Sequence, residues 1–444
     1  MAKHIFKRKI YQQMIEWKQQ SQGETALLIE GARRVGKSTI VEEFAKAEYR
    51  SYVIIDFANA LPEELNLFNY VSDINFFFTK LIALKHVTLY PRQSVIVFDE
   101  VQNHPIARQA IKYLVKDGRY DYIETGSLIS IRRNVSGIVI PSEEEAIEMY
   151  PMDYEEFRWA MGDTATIPLL REQLAGCRSI GEDINRKLMR DYRLYMLVGG
   201  MPQAVSKYID TSDLGQVDKT KREILRIYQQ DFHKLDITSR ATAMFKAIPS
   251  QLHKNARRFQ TTTVVGKSND NLDGIVELLE ESKTVNVAYR ADDPNVGLEL
   301  SADRAAYKLF LADTGLLVTL AFADKSYTEN IIYNKLLADK LDVNLGYVFE
   351  NAVAQAFASS GYKLFYHSWL DNSKHAYEVD FLLSRGFKLT PVEVKSSGYN
   401  THRSLDEFCS KYSDRIARPY LIYTKDLRRD GQTLMIPIYM AGLL

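Results

Sequence analysis

The sequence contains little of several features that would place a chain in a specialised class. Cys177 and Cys409 are its only cysteines, so neither a disulfide framework nor a cysteine-rich zinc site can form. No apolar run approaches the about 20 residues that a membrane-spanning helix needs. No long apolar region follows the basic N-terminus, so the pattern of a secretory signal is missing. We therefore expect a cytoplasmic protein with no membrane partner.

The chain also lacks an excess of charge of either sign. Lys plus Arg and Asp plus Glu both number 57, which gives a formal net charge of +0. Any basic surface for nucleic acid must therefore be local. The 444 residues are 46% hydrophobic and 26% charged, as in globular proteins, and they exceed the size of one ordinary core. We expect about two to four domains.

The most informative stretch fits the P-loop pattern G-x-x-x-x-G-K-[ST] at every fixed position: Gly31-Ala32-Arg33-Arg34-Val35-Gly36-Lys37-Ser38. The apolar run 26–29 predicts a strand before it, and 39–45 predicts an amphipathic helix after it. In such a loop backbone N–H groups cradle phosphates, Lys37 reaches the β- and γ-phosphates, and Ser38 ligates Mg²⁺. A glycine-rich turn that spells the motif by chance is the alternative, and the strand–loop–helix context disfavours it.

Two further strands are predicted to end near the nucleotide. After Ser94, residues 95–98 are apolar and lead into Asp99 and Glu100, a Walker B pattern in which Asp99 lies beside Mg²⁺ and Glu100 polarises the attacking water. The alternative is a strand end with two solvated carboxylates. Residues 120–127 predict the next strand, from which Thr125 or Ser127 can sense the γ-phosphate. Ser127 can equally be a helix cap.

Three arginines receive simpler predictions. Residues 5–20 predict a helix that leads to the first strand, and Arg8 within it is expected to be solvated. Arg132 and Arg133 follow the strand that carries Thr125. One of them can act as an arginine finger, within the chain or across a subunit boundary of a homo-oligomer. Two consecutive arginines can also simply face solvent.

The P-loop, the segment Asp99-Glu100-Val101-Gln102 and the segment Thr125-Gly126-Ser127 together resemble prokaryotic AAA-type ATPases fused to a C-terminal domain of uncharacterised function. The segments 150–157 and 199–205 extend this resemblance over nearly the whole chain. It implies ATP and Mg²⁺ as cofactors, Lys37 and Glu100 as catalytic residues, and Ser38 and Asp99 as metal ligands. It also implies nucleotide contacts from Gly31, Ala32, Arg33, Arg34, Val35, Gly36, Lys37, Ser38, Thr39, Asp99 and Thr125. Family members often carry Gly-Arg before the Pro-x-x-x-Glu-Glu-Phe segment, whereas this chain has Gly137-Ile138 and then an acidic insert at 142–145.

Four domains are predicted. An AAA-type domain spans 1–165, and a helical, lid-like region spans 166–235, in which Gly199-Gly200-Met201-Pro202 separates two helices. A winged helix is predicted over 236–324, with helices at 240–245, 251–259 and 270–281 and a wing hairpin formed by 285–290 and 306–311. Its basic residues suit phosphate contacts on DNA, although they can also form a solvated helical face. These residues are His253, Lys254, Arg257 and Arg258.

The last predicted domain spans 325–444 and resembles the PD-(D/E)xK nuclease core. Glu350 lies on a helix, Asp380 lies on a strand, and Glu393-x-Lys395 lies on the adjoining strand after a turn at Arg385-Gly386. Alternation places Glu393 and Lys395 on one strand face. The resemblance makes Asp380, Glu393 and Lys395 catalytic and makes Glu350, Asp380 and Glu393 metal ligands. A fold kept for binding, or an ion cluster without metal, is the alternative.

The predicted fold class is therefore α/β. It comprises a P-loop NTPase parallel sheet, a helical region with a winged helix, and a C-terminal restriction-endonuclease-like α/β domain. Three functions remain open: a Mg²⁺-dependent ATPase acting on DNA, a nucleotide-switched module that binds DNA or protein, and an ATP-gated nuclease. The expected partners are nucleotide, DNA through the winged-helix and C-terminal domains, and a second copy of the chain.

Overall fold

A computed structural model of the protein describes residues 4–126, 142–254, 256–266, 272–324, 337–338, 346–399 and 401–444. The chain forms two compact units. The first consists of Met1–Tyr150 with Glu281–Lys283, and the second consists of Pro151–Glu280 with Thr284–Leu444. Within the described ranges, no helix combines the length and the apolarity that crossing a bilayer requires.

The first unit is built on a sheet of five parallel strands. These are β1 (Ala26–Glu30), β2 (Ser51–Asp56), β3 (Ser94–Asp99), β4 (Asp121–Gly126) and β5 (Glu144–Glu148). Their order in the sheet is β2-β3-β4-β1-β5. Every residue of β1, β3 and β4 is buried, which is typical of parallel strands covered on both faces. The carboxyl ends of β1, β3 and β4 therefore lie side by side at one edge.

Helices connect these strands. They are α1 (Ile10–Ser21), α2 (Lys37–Glu48), α3 (Pro62–Asn66), α4 (Ile74–Lys85) and α5 (Pro105–Asp117), with short 3₁₀ turns at Leu67–Tyr70 and Val101–Asn103. On one sheet face, Phe77 and Leu81 of α4 and Ile111 and Leu114 of α5 pack in a continuous apolar core. The strand–loop–helix arrangement predicted around the P-loop is β1, the loop and α2.

The edge strand β5 differs from the acidic insert expected at 142–145. Glu144 begins this strand, which pairs in parallel with β1 from Ala26↔Glu144 to Glu30↔Glu148. Arg108 of α5 donates from Nε and Nη2 to the two Glu144 oxygens at 3.1 and 2.6 Å. This bidentate ion pair lets a carboxylate lie in a strand with little solvent contact. Because the run carries charge and few apolar residues, its pattern does not predict a strand.

The second unit begins with a series of helices. They are α6 (Tyr154–Ala160), α7 (Thr166–Ala175), α8 (Glu182–Val198), α9 (Pro202–Thr211), α10 (Leu214–Leu235), α11 (Arg240–His253), α12 (Thr261–Val265) and α13 (Asp273–Glu281). Between α8 and α9, Gly200 accepts a hydrogen bond from Met152 N at 2.7 Å and donates to Asp313 Oδ2 at 2.5 Å. A Cβ on Gly200 would lie 2.0 Å from Met152 O. The glycine is therefore required for close backbone packing.

The structure changes part of the predicted winged helix. The prediction of a helix over 251–259 is wrong, because α11 continues to His253 and long-range hydrogen bonds tie down the residues that follow. Phe259 N donates to Tyr307 O at 2.7 Å, and Gln260 N donates to the Gln251 side chain at 3.2 Å. The predicted hairpin forms from β6 (Val285–Ala291) and β7 (Ala302–Leu311), which pair in antiparallel.

The remaining strands form two mixed sheets. They are β8 (Leu364–Leu370), β9 (Ala376–Val379), β10 (Phe381–Arg385), β11 (Lys388–Val394), β12 (Tyr420–Tyr423), β13 (Arg428–Asp430) and β14 (Thr433–Pro437), with helices α14 (Thr314–Ala321), α15 (Gly346–Ser359) and α16 (Arg403–Lys411). The sheet orders are β7-β6-β8-β9 and β10-β11-β12-β14-β13. Since β6 pairs with β8, the expected wing is part of a sheet shared across the predicted boundary at 324/325. The four-domain division stays a prediction.

Candidate functional site

The P-loop connects β1 to α2 and wraps around its own lysine. Arg34 and Gly36 have left-handed backbone conformations, with φ of 70° and 104°. Lys37 Nζ donates to the carbonyl oxygens of Gly31 and Ala32 at 2.9 and 3.0 Å. Burial lowers the pKa of Lys37 to about 8, although the nearby Glu100 charge opposes this. An anion in the loop would offer this ammonium a stronger partner than two carbonyls.

The end of β3 is joined to the P-loop helix by hydroxyl hydrogen bonds. Ser38 Oγ donates to Asp99 Oδ1 at 2.9 Å, and the Thr125 hydroxyl donates to the same oxygen. Because β4 lies between β1 and β3, Thr125 is placed beside both motifs. Burial raises the pKa of Asp99, while the two hydroxyl bonds lower it. Three residues predicted from separate motifs thus form one cluster of oxygen ligands of the kind Mg²⁺ prefers.

Glu100 is held in position by its neighbours. It has a left-handed conformation with φ of 54°, and its backbone N–H donates to Thr125 Oγ1 at 3.1 Å. Gln102 Nε2 donates to the Glu100 carboxylate. In the sequence, only the Asp-Glu-x-Gln resemblance points to Gln102. In the structure, its side chain restrains the Glu100 carboxylate, which lies two residues earlier in the chain.

The other predicted residues of this site are placed less centrally. Arg33 and Arg34 are exposed, and Thr39 lies in the first turn of α2. Ser127 and the pair Arg132 and Arg133 lie outside the described residues. The sensor role of Ser127 and the arginine-finger role of Arg132 or Arg133 therefore stay predictions.

The prediction of a solvated Arg8 is wrong. This side chain is only 6% exposed. Its Nη1 donates to Val35 O at 2.8 Å, and its Nη2 donates to Tyr150 O at 2.6 Å. Two carbonyl oxygens offset the cost of burying the guanidinium. These partners are far away in sequence, so no local pattern indicates them.

A second candidate site is a cavity of about 330 Å³ in the second unit. Glu350, Asp380, Glu393 and Lys395, all predicted from the sequence, line it together with Glu378. The prediction that Asp380 lies on a strand is wrong, because this residue forms the bend between β9 and β10. Asp380 precedes Phe381, whose partner Val392 precedes Glu393, and Asp380 Oδ2 accepts a hydrogen bond from Val394 N. The predicted residues are therefore brought to one cavity.

Each carboxylate of this cavity has a partner from the protein. Lys308 Nζ on β7 contacts Glu350 Oε1 at 2.9 Å and Glu378 Oε1 at 2.6 Å. Lys395 Nζ lies 3.0 Å from Glu393 Oε1, and Val394 N donates to Asp380 Oδ2 at 2.7 Å.

The electrostatics of the cavity are dominated by burial and by neighbouring carboxylates. Burial, together with the Glu350 charge, raises the pKa of Asp380 well above its usual range. Across the described ranges, no three His, Cys, Asp or Glu side chains are grouped as a metal-ion site. The metal role of Glu350, Asp380 and Glu393 stays a prediction.

One of the predicted basic residues, His253, lines the wall of this cavity. His253, Lys254, Arg257 and Arg258 are all exposed, and the Arg257 charge acts on the pKa of Glu378. The His253 ring meets Tyr347 edge to face at 5.6 Å between centroids. Basic side chains near an acidic cavity suit a ligand that combines phosphate groups with a cation. Sequence reasoning missed Lys308, because it lies 42 residues from Glu350.

Comparison with known families bears on the first site. Residues 23–158 match a family model described as an AAA domain. The part of the chain that carries the P-loop is therefore similar to an AAA domain. Residues 189–327 and 345–440 match two families described only as domains of unknown function, DUF8612 and DUF4143. No curated protein matches the chain.

Solved structures give weaker similarities. The Walker-type ATPase paby2304 of Pyrococcus abyssi has 17% identity and a TM-score of 0.41, covering 71% of this chain and 96% of its own. Cdc6p from Pyrobaculum aerophilum has 12% identity and a TM-score of 0.27, with coverages of 77% and 97%. Protein VC1899 from Vibrio cholerae has 10% identity and a TM-score of 0.18, with coverages of 94% and 95%. TM-scores below 0.5 do not establish a shared fold.

Proposed function

We propose that this protein binds ATP with Mg²⁺ and hydrolyses it. The observation that carries this proposal is the cluster of Ser38, Asp99 and Thr125 beside Lys37, at the shared edge of three parallel strands. A structural turn would need neither a buried lysine nor a carboxylate held by two hydroxyls. The match of this region to an AAA domain supports the same activity.

Each residue has a defined part in this proposal. The loop amides bind the phosphates, and Lys37 exchanges its bonds to Gly31 and Ala32 for bonds to phosphate oxygens. Ser38 and Asp99 would hold Mg²⁺, which neutralises charge on the phosphates when bound. Glu100 orients and polarises the attacking water, and the contact from Gln102 fixes its carboxylate.

Nucleotide titration of the parent and Lys37→Ala tests this proposal. We expect saturable Mg·ATP binding by the parent and none by the variant, because the buried Lys37 ammonium is the charge that the loop encloses. Lys46→Ala is a matched control, since Lys46 lies on the exposed face of the same helix and pairs with Glu42 at 2.7 Å. Equal affinity of the parent and Lys37→Ala would contradict the proposal.

We further propose that the ATPase acts on DNA, with the basic residues at 253–258 contacting phosphates. The observation that favours this is the position of His253 on the rim of the acidic cavity. A module in which nucleotide only switches binding is the alternative. ATP turnover measured with and without DNA separates the two, because a switch without turnover would show no DNA-stimulated hydrolysis.

A second candidate function is metal-dependent cleavage of phosphodiesters at the cavity. It is favoured by Asp380 and Glu393, which line the same cavity, with Lys395 beside Glu393. The two carboxylates would hold Mg²⁺ or Mn²⁺, and Lys395 would stabilise charge that develops on the phosphate.

A plasmid-cleavage assay with Mg²⁺ or Mn²⁺ decides this second function. The parent is expected to nick the plasmid, and Asp380→Ala is expected to lose that activity because one ligand is gone. Asp371→Ala is the control, since Asp371 lies in an exposed turn and bonds to Ser373 and His375. No cleavage by the parent, or equal cleavage by Asp380→Ala, would indicate that the charged residues of the cavity form a structural ion cluster without nuclease activity.

A further inference from the structure

We propose that Arg8 is a positioning residue for the phosphate site, which it acts on by fixing the orientation of one P-loop peptide unit. The inference rests on the proposed ATP binding and adds a residue from outside every motif. Arg8 precedes α1, is almost fully buried, and makes two hydrogen bonds to carbonyl oxygens. One of those oxygens belongs to Val35, in the middle of the P-loop.

The contact with Val35 determines where the next amide points. The carbonyl of Val35 and the N–H of Gly36 belong to one planar trans peptide unit, so they point in opposite directions. Arg8 Nη1 donates to this carbonyl at 2.8 Å. The Gly36 N–H therefore points away from the Arg8 guanidinium, and in the proposal it is one of the amides that bind phosphate.

This peptide unit needs an external restraint. It joins Val35 to Gly36 and follows Arg34. The φ values of Arg34 and Gly36, 70° and 104°, are in the left-handed region. A non-glycine residue such as Arg34 adopts that conformation only at an energetic cost. A charged hydrogen bond to the carbonyl between them opposes rotation of the peptide. The restraint is supplied by the protein itself, and in the proposal it pre-organises the amide.

The same guanidinium fixes the other end of the loop. Arg8 Nη2 contacts Tyr150 O, and the residue before it, Met149, donates its N–H to Glu30 O at 2.7 Å. A Cβ on Gly31 would lie 2.3 Å from Met149 O, so this segment packs closely on the first loop glycine. Arg8 therefore bridges the segment behind Gly31 and the carbonyl before Gly36.

Helix α1 holds Arg8 in place by packing on α2. The rings of Tyr11 and Phe44 meet edge to face at 5.3 Å, and Tyr11 Oη donates to Glu48 Oε1 at 2.8 Å. Arg8 O accepts a hydrogen bond from Tyr11 N at 3.2 Å. The Arg8 backbone is thus joined to α1, and α1 packs on the helix that follows the P-loop, which restrains the position of the guanidinium.

The test compares Mg·ATP and inorganic tripolyphosphate binding by the parent, Arg8→Met and Arg8→Lys. We expect Arg8→Met to weaken both ligands by about tenfold or more, the size of a charged hydrogen bond expressed as affinity. The reduction should be equal for both ligands, because tripolyphosphate meets only the phosphate cradle. Arg8→Lys should be intermediate, since one ammonium cannot reach both carbonyls in the bidentate manner of a guanidinium.

Tyr11→Phe is the matched control. It removes the Tyr11–Glu48 hydrogen bond and perturbs the same helix pair without touching the loop, so its affinity should stay within about twofold of the parent. Thermal unfolding without ligand is measured for all variants. Parental affinity in both Arg8 variants, a reduction confined to ATP, or affinity that only follows unfolding temperature would each overturn the inference. Failure of the parent to bind either ligand would instead overturn the proposed function beneath it.

Discussion

Lys308 offers the sharpest test of how the acidic cavity is held together. Its ammonium is buried between Glu350 and Glu378, at 2.9 and 2.6 Å, and the lysine side chain is only 4% exposed. Lys308→Met keeps most of the side-chain volume and removes the charge. Two carboxylates are then left without their cation in a site with little solvent screening. Removing one partner of a buried ion pair costs about 3–5 kcal/mol of stability. We expect the free energy of unfolding of Lys308→Met to be lower than that of the parent by this amount near pH 7.5.

The decrease should depend on pH. Burial raises the pKa of the Glu378 carboxyl, and the Lys308 charge opposes that rise. Without Lys308 the pKa of Glu378 in the folded protein rises further above its value in the unfolded chain. The folded variant then binds a proton more readily than the unfolded chain does, so its stability increases as pH falls. We expect the gap between parent and variant to be smaller at pH 5 than at pH 7.5.

Urea unfolding followed by tryptophan fluorescence measures this effect. The chain has three tryptophans, so replacing Trp17 and Trp159 with phenylalanine leaves Trp369, on β8 of the second unit, as the only probe. Lys388→Met is the control, because Lys388 is exposed in the same unit and should change stability by no more than about 0.5 kcal/mol. Two results would show that Lys308 does not neutralise the buried carboxylates. One is a free energy of unfolding for Lys308→Met that is lower than that of the parent by less than about 1 kcal/mol. The other is a difference between Lys308→Met and the parent that is larger at pH 5 than at pH 7.5.

Two other predictions concern the second unit. Gly200→Ala should lower the free energy of unfolding by about 1–3 kcal/mol, because a Cβ there would lie 2.0 Å from Met152 O. Gly274→Ala meets open space and should not destabilise, and equal unfolding midpoints for the two variants would contradict the structural role of Gly200. Lys254→Glu with Arg257→Glu should weaken DNA binding and lower the slope of log affinity against log salt by about one for each phosphate that the variant no longer neutralises, and an unchanged slope in a filter-binding series would contradict it.

The cluster of Ser38, Asp99 and Thr125 could be predicted from the sequence because its signals are local. The P-loop, Asp99 and Glu100 each follow a short apolar run, and the ends of parallel strands in one sheet necessarily lie near one another. Thr125 was predicted on the same basis, and the sheet order explains its contact with Asp99. The turn at Arg385-Gly386 was also predicted correctly, since the hairpin pairs Arg385 with Lys388.

The remaining features depend on contacts between distant parts of the chain. Arg8 bonds to a residue 142 positions away, and Lys308 to one 70 positions away. A charged residue in either position is normally solvated, so its type alone predicts the wrong environment. The strand that begins at Glu144 depends on a distant contact in the same way, because the partner that allows the Glu144 side chain to be buried is Arg108 on another element.

Single-turnover hydrolysis of ATP by Glu100→Gln measures whether Asp99 and Glu100 form the proposed ATP-hydrolysing site. The amide keeps the shape of the side chain and its place beside Gln102, but it cannot polarise water as a carboxylate does. We expect Mg·ATP to bind Glu100→Gln as tightly as the parent, with hydrolysis reduced by about 100-fold or more. Hydrolysis by Glu100→Gln at the parental rate would show that the Glu100 carboxylate does not polarise the attacking water.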